Sequence, residues 1–317
     1  MFDVVAMGEL LIDFTPSGLS TSGNQLFEQN PGGAPANVLA SMAKLNKKCA
    51  FIGMVGHDQF GVFLKDVLQD IGIDIRGLRQ SKEYHTTLAF VHLTSDGDRS
   101  FSFYRNPGAD MMLRPEDLDF EVIGQAKIFH FGSISLTSEP ARSATLAAVK
   151  FAKAQGKLVS YDPNYRPLLW PCKEQAVEMM KSGLEYTDIL KISENELELL
   201  TGTTDLARGS ALLYKMGISV VLVTLGSEGC YYSYQGGSGK IPAFHVDTID
   251  TTGAGDAFLG GVLYWFSQFN LLEIQKLDLD EFIKIITFAN AVGGLTTTQK
   301  GAIPALPSLK EITELIK

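Results

Sequence analysis

The segment Asp250-Thr251-Thr252-Gly253-Ala254-Gly255-Asp256-Ala257-Phe258 concentrates the residue types that could do chemistry. Gly253, Ala254 and Gly255 let the backbone come close to a ligand, and the apolar run that follows, to about Phe269, reads as a helix. A helix start points several unpaired N–H groups at whatever lies before it, which makes an anion hole. Such a hole stabilises the charge that gathers on a phosphoryl group during transfer. Asp256 lies inside this positive field, which predicts a lowered pKa and an ionised carboxylate able to take a proton from an attacking hydroxyl. The plainer alternative is that Asp256 caps the helix and the glycines make a turn.

A second constellation is Gly32-Gly33-Ala34-Pro35-Ala36-Asn37. A glycine pair opening a helix suits close approach to a polar ligand, Pro35 fits the first turn, and Asn37 both donates and accepts. It is equally an ordinary loop–helix junction. Asp13, just after the first strand, is either a hydroxyl-binding carboxylate or a solvated loop charge. Two near-matches to nucleotide motifs fail. Gly237-Ser238-Gly239-Lys240 has Tyr234 where a P-loop needs its upstream glycine, and no helix pattern follows. It reads as a hairpin turn between strands at 231–234 and 241–245. Gly253-x-Gly255 has Phe258 at the third glycine of a dinucleotide fingerprint, which disfavours a Rossmann dehydrogenase.

The elements that must position these residues alternate. Apolar runs at 2–7, 49–55, 127–131, 157–161, 188–192 and 219–224 read as buried strands. Between them, 35–45 and 60–71 carry apolar residues at helical spacing. The stretch 138–155 starts with a cap residue, has Pro140 in its first turn and stops at Gly156. This alternation predicts an α/β fold, a mainly parallel sheet covered on both faces by helices. Residues 86–93 and 99–105 break the pattern with β-branched and aromatic residues around the tight-turn sequence Ser95-Asp96-Gly97-Asp98, and 10–15 is strand-like. These excursions, at about 9–32 and 84–106, are expected to form a small β lid on one domain; the alternative is an antiparallel extension of the main sheet.

Composition sets outer bounds. The 317 residues are 45% hydrophobic and 20% charged, enough for a sizeable core and too apolar for a disordered chain. The formal net charge of −9 argues against non-specific binding to nucleic acid or an anionic membrane. Three scattered cysteines and five scattered histidines suggest neither a disulfide framework nor a structural metal site. No secretory signal or membrane-length apolar run is apparent, so a cytoplasmic location is expected.

Segment 250–258, Gly32-Gly33 with Asn37, and Val55-Gly56-His57-Asp58-Gln59-Phe60-Gly61 together resemble the signatures of the PfkB (ribokinase-like) carbohydrate kinases. The resemblance runs from Gly8 to about Pro307. Within the family, Arg99-Ser-Phe-Ser-Phe-Tyr-Arg105-Asn-Pro-Gly-Ala-Asp110 is most similar to the fructokinases, in agreement with 129–136 and with Tyr161-Asp-Pro-Asn-Tyr-Arg166 followed by Leu169-Trp170. That last element also occurs in 2-keto-3-deoxygluconate kinases, so another sugar or nucleoside kinase stays open, as does a catalytically silent sugar-binding regulator.

The resemblance implies a ribokinase-like three-layer sandwich that phosphorylates the 6-hydroxyl of fructose with ATP and Mg²⁺. It casts Asp256 as general base and Gly253, Ala254 and Gly255 as the anion hole. Asp13, Gly33 and Asn37 are expected to contact sugar hydroxyls, and the cationic Arg105 and Arg166 to serve the sugar or the phosphates. Lys191 is expected at the phosphates, Thr224, Gly226 and Gly229 around the nucleotide, and Asn290 beside the adenine. Where many relatives have Asn-x-x-Glu, this chain reads Ser193-Glu194-Asn195-Glu196. Ser193 and Glu196 also make a capping box, while the resemblance gives Glu196 a water-mediated magnesium role. Asp250, Thr252, Thr296, Gln299 and Gly301 fall where relatives hold a K⁺ ion. Phe90, Phe101 and Phe103 on the lid strands are expected either to cover the sugar or to form a homodimer surface.

Overall fold

Alternation along the first strand sets the architecture. In β1 (Phe2–Met7), Val4 and Ala6 enter one hydrophobic cluster and Val5 and Met7 another, and all four are buried. A strand apolar on both sides needs cover on both faces. The computed structural model describes residues 1–93 and 99–317 and shows that cover.

The remaining strands are β2 (Leu11–Leu19), β3 (Gln25–Gly32), β4 (Cys49–Gly56), β5 (Asp74–Ser81), β6 (Leu88–Leu93), β7 (Arg99–Tyr104) and β8 (Ala126–Gly132). They continue with β9 (Leu158–Asp162), β10 (Ile189–Ser193), β11 (Val220–Thr224), β12 (Cys230–Tyr234) and β13 (Gly237–Ile241). The central sheet runs β13-β12-β11-β10-β9-β8-β1-β4-β5. It is parallel from β5 to β11 and ends in an antiparallel hairpin. The helices are α1 (Ala34–Lys44), α2 (Gln59–Asp70), α3 (Phe120–Gly124), α4 (Ala141–Ala154), α5 (Lys173–Leu184) and α6 (Glu194–Thr201). After them come α7 (Leu206–Lys215), α8 (Ala254–Phe266), α9 (Leu271–Gln275), α10 (Leu279–Thr296) and α11 (Leu309–Ile316). Leu39, Leu64, Leu259 and Phe282 of α1, α2, α8 and α10 fill one face, and Ala148, Met180, Leu197 and Leu213 of α4 to α7 fill the other. The expected three-layer α/β sandwich is what forms.

Two local expectations are corrected. Gly237–Lys240 is not the hairpin turn but part of β13: Tyr234 pairs with Gly237, leaving Gln235-Gly236 as the two-residue turn. Gly239 tolerates this because it lies under the Tyr232 ring, where a Cβ would come 3.0 Å from the hydroxyl. The strand ends at Ile241 instead of continuing to 245, since Pro242 cannot donate to a ladder and 242–250 has no regular structure. Ser138 does not cap α4 either; the helix starts at Ala141 behind Pro140.

The excursions at 9–32 and 84–106 supply a separate sheet of order β3-β2-β6-β7, in which β2 runs parallel to β6 and the outer pairs are antiparallel. Asp58, the cap of α2, ties the segment leading into β6 to the body: its carboxylate accepts from Gly61 N, Thr86 N and Thr86 Oγ1 at 2.7–2.8 Å. On one side of the small sheet Phe90 stacks on Phe14 at 4.7 Å and meets Phe27 and Tyr104 edge-on. The expected turn at 95–98 lies outside the described residues, as does the Phe101 side chain. Among the described residues, no helix is long and apolar enough to cross a membrane.

Candidate active site

The order of the central sheet reverses at β1, which sits between β4 and β8. Crossovers leave such a strand in opposite directions and open a crevice at its carboxyl end. A cleft of about 720 Å³ lies there, lined by Asp13, Gly33, Asn37, Arg105, Arg166, Lys191, Gly253, Gly255 and Asp256. Val91 and Phe103 of the small sheet also line it. Phe103 therefore faces the cleft while Phe90 packs in the ring cluster.

Asp256 enters this cleft from the first turn of α8. Gly253 caps the helix at φ 74°, a left-handed conformation that favours glycine, and a Cβ there would stand 2.5 Å from Ala302 Cβ. Asp256 is buried; its Oδ2 accepts from Asn37 Nδ2 at 2.8 Å, and Asn164 Nδ2 approaches Oδ1 at 3.5 Å. These contacts join α1, α8 and the loop after β9. The expected lowering of its pKa is corrected: burial withdraws water from the carboxylate and raises the pKa, outweighing Lys191, Asn37, Arg166 and Asn164. The helix field is present, but desolvation is the larger effect.

Lys191 ends up beside the same helix start. Its Nζ donates to Asp162 Oδ2 at 2.8 Å, and a Cβ on Gly255 would come 2.9 Å from it. Burial pulls the ammonium pKa down, yet the carboxylates of Asp162, Glu196 and Asp256 together raise it, so Lys191 stays charged. A buried cation and helix amides thus converge beside a carboxylate. That arrangement can hold a phosphoryl group and accept a proton next to it.

On the other wall, Asp13 sits on β2, and burial raises its carboxyl to about 7, with Arg166 opposing and Asp256 reinforcing the shift. Gly33 has φ 117°, and a Cβ there would lie 2.3 Å from Glu9 O, so only glycine fits this close approach. Arg105 is pinned: its Nε pairs with Asp110 at 2.7 Å, Nη1 donates to Thr137 Oγ1 and Nη2 to Ile134 O. Arg166 donates to Asn164 Oδ1 and to Tyr165 O, each at 3.2 Å.

Of the other expected positions, Asp250, Thr252 and Gly301 line the cleft, and the rest lie beyond its lining. Thr224 closes β11, where its Oγ1 donates to Ile192 O, and Gly226 and Gly229 follow with φ 57° and 96°. Asn290 Nδ2 donates to Ile241 O and Pro242 O, clamping the chain after β13 onto α10. Glu196 completes the capping box with Ser193, and its Oε1 accepts Tyr165 N at 2.6 Å, linking α6 to the Asn164–Arg166 loop. Asp250 gathers its neighbours: Oδ1 accepts from Thr252 N and Oγ1, and Oδ2 from Gly301 N at 3.0 Å. Thr297 O, just past the last residue of α10, accepts from Asp250 N, so this segment abuts a helix C-terminus. Thr296 ends that helix and Gln299 lies in the turn after it. Carbonyl oxygens, a carboxylate and a negative helix end form a donor set that suits a monovalent cation.

Four residues beyond those expected belong to this architecture. Glu9 lines the cleft and holds Ala34 N, Asn164 flanks Asp256, Asp162 holds Lys191 and Asp110 holds Arg105. Asp162 and Asn164 lay in plain view in Asp-Pro-Asn, four and two residues before Arg166. Nothing in the spacing of Glu9 or Asp110 marks them.

Along its whole length the chain is similar to proteins named as fructokinases. A probable fructokinase-2 of Arabidopsis thaliana is 47% identical over 99% of this chain and 95% of its own length. The structure of a fructokinase with bound ATP from Xylella fastidiosa superposes with a TM-score of 0.92 at 36% identity, covering 100% of this chain and 98% of that one. A double-mutant fructokinase of Vibrio cholerae O395, in a form with fructose, ADP and potassium ion bound, gives 0.88 at 34%, covering 99% and 98%. Residues 1–309 match the pfkB family carbohydrate kinases. With an α/β sandwich of the same shape and an acid, a cation and a helix start meeting in its cleft, this chain belongs to the pfkB family of carbohydrate kinases.

Proposed function

We propose that the chain transfers the γ-phosphoryl group of MgATP to the 6-hydroxyl of D-fructose. The observation that carries this reading is the meeting of Asn37, Asp256 and Lys191 at the start of α8. Fructose lies in the cleft, its hydroxyls oriented by Asp13, the backbone at Gly33, and Asn37. Asp256 takes the proton of O6 as that oxygen attacks the γ-phosphorus in line; the new O–P bond forms as the bond to ADP breaks, its electron pair leaving on the β-phosphate oxygen. Amides of Gly253, Ala254 and Gly255, together with Lys191, hold the charge of the transferring group. Thr224, Gly226, Gly229 and Asn290 border the nucleotide. Glu196, whose Oε1 keeps a lone pair beyond its one backbone bond, meets the magnesium of MgATP through water. Asp250, Thr252, Thr296, Gln299 and Gly301 would hold a K⁺ ion, which would add positive charge near the anion hole.

The small sheet closes over the sugar, Val91 and Phe103 excluding water that would otherwise hydrolyse ATP. Its other side, with Phe27 and Tyr104 in the ring cluster and partly exposed, supports a homodimer through the lid, read by sedimentation. Three free cysteines fit a reducing, cytoplasmic compartment. The Arg105–Asp110 pair favours a neutral sugar over an acidic one, because one of the two guanidinium charges is already matched.

The test is ADP release from MgATP with fructose, 2-keto-3-deoxygluconate, ribose and glucose, each with and without K⁺. A kcat/KM for fructose at least about tenfold above the others, about 1.4 kcal/mol in transition-state binding, supports the reading. Preference for another sugar overturns fructose and keeps the kinase; no turnover with any of them overturns fructose and moves the reading to a substrate outside the panel or to a catalytically silent sugar binder.

A further inference from the structure

Glu9 leaves β1 at the switch point and is 2% exposed. Its Oε1 accepts Ala34 N at 2.9 Å, the first amide of α1, whose own cap Gly33 has no side chain to do so. Its Oε2 has no hydrogen-bond partner among the described residues, although Glu9 lines the cleft. Asn37, three positions after Ala34 and so on the same side of α1, is in a like state: Nδ2 is spent on Asp256 while Oδ1 is unpartnered. Two buried acceptors without donors, both on residues lining one cleft, call for a ligand that brings at least two O–H groups. A polyol does so, and a phosphate does not.

We propose that Glu9 is a sugar-binding residue, its Oε2 accepting a hydrogen bond from a hydroxyl other than the one that is phosphorylated. This rests on the sugar-kinase reading and deepens it. Glu9 and Asn37 then take neighbouring hydroxyls while Asp256 keeps the reacting one. Burial pushes the Glu9 carboxyl up to about 7, against the hydrogen bonds from its own amide and from Ala34 N and the pull of Arg105 and with the push of Asp110, so the acceptor-only form is shared with the protonated one near neutral pH and prevails above it. A site built to pair a hydroxyl rejects an analogue that lacks it, since the buried acceptor is then left unmatched.

The test compares wild type with Glu9→Gln on fructose and on its deoxyfluoro analogues at the positions not phosphorylated. The amide oxygen of Gln keeps Ala34 N and only Oε2 is lost as an acceptor. The expected result is a KM for fructose raised about tenfold or more, kcat and the KM for ATP within about twofold, and one analogue that wild type discriminates against but the variant does not. An unchanged sugar KM and analogue profile with a lowered Tm overturns the proposal and leaves Glu9 as a helix cap only. Should the variant not fold, a crystal structure of wild type with the sugar decides: Oε2 within about 3.2 Å of a sugar oxygen supports the contact, and a longer or water-bridged separation overturns it. Wild-type turnover is measured first; if another panel sugar is the substrate, the fructose reading fails by itself and the Glu9 arms are read on that sugar. If no panel sugar turns over or binds, both fall together.

Discussion

Asn37 and Asp256 stand 219 positions apart in sequence and 2.8 Å apart in space, Nδ2 of one donating to Oδ2 of the other. The bond fixes which edge of the carboxylate is spent on the protein, leaving Oδ1 with the longer Asn164 approach. It also makes α1 and α8 one unit, so the sugar side and the phosphoryl side of the cleft cannot drift apart independently. Gly260 helps, since a Cβ there would lie 2.5 Å from Ser41 Oγ on α1.

The first prediction concerns that carboxylate. Asp256→Asn keeps the shape and the contact surface but cannot take a proton. The expected loss is about 10²–10⁴ in kcat, with the sugar KM changed only a few-fold. Steady-state kinetics on a variant with a wild-type circular dichroism spectrum checks it, and near-normal kcat would refute the base assignment.

The pH profile follows from burial. Asp256 works deprotonated and its pKa is raised, so kcat falls on acidification through a value above the ordinary aspartate range. A kcat flat down to pH 4 contradicts this.

Stability has the opposite slope at Asp13. Its folded pKa, about 7, exceeds the unfolded value, so the folded state holds the proton more tightly. That stabilisation is fully present below the unfolded pKa and is lost as pH rises through about 7. Asp13→Asn removes this group's share of the dependence. Relative to wild type the variant gains stability, on the order of a few kcal/mol, on going from pH 4.5 to pH 8, seen as a rise in relative Tm, while its sugar KM rises. Thermal melts at the two pH values test it; an equal Tm difference at both excludes the mechanism.

Glycines 253 and 255 should separate folding from chemistry. Gly253→Ala puts a Cβ into Ala302 at a left-handed φ and should lower stability. Gly255→Ala meets only Lys191 Nζ, the far end of a flexible side chain. It should fold with a Tm near wild type yet lose about 10²-fold in kcat, as the cation is displaced from the phosphoryl position. Parallel melts and assays distinguish the two; similar losses in both quantities for both variants would count against this division.

Asp110 offers a test of a buried pair. Its side chain is 1% exposed and that of Arg105 4%. Asp110→Ala strands the guanidinium and should cost about 3–5 kcal/mol in chemical denaturation. A loss below about 1 kcal/mol would mean that Thr137 and the Ile134 carbonyl suffice to hold Arg105.

By itself the sequence determined the layers, the strands that carry the site and the helix start at Gly253, because those follow from local rules: apolar periodicity, small residues at a turn, and cap chemistry. It also singled out Asp256, Asn37, Asp13 and Lys191, all of which reach the cleft. It misjudged Gly237–Lys240, where the run of small residues hid that Tyr232 lies over the strand. Only the tertiary structure decided the protonation balance of Asp256, since desolvation depends on what other segments pack around it and the helix field alone has the opposite sign. Only it showed that Arg105 is matched by Asp110, that Lys191 leans on Asp162, and that Glu9 keeps an oxygen without a partner among the described residues. Those facts are relations between segments brought together by the switch in strand order at β1, and no spacing along the chain encodes them.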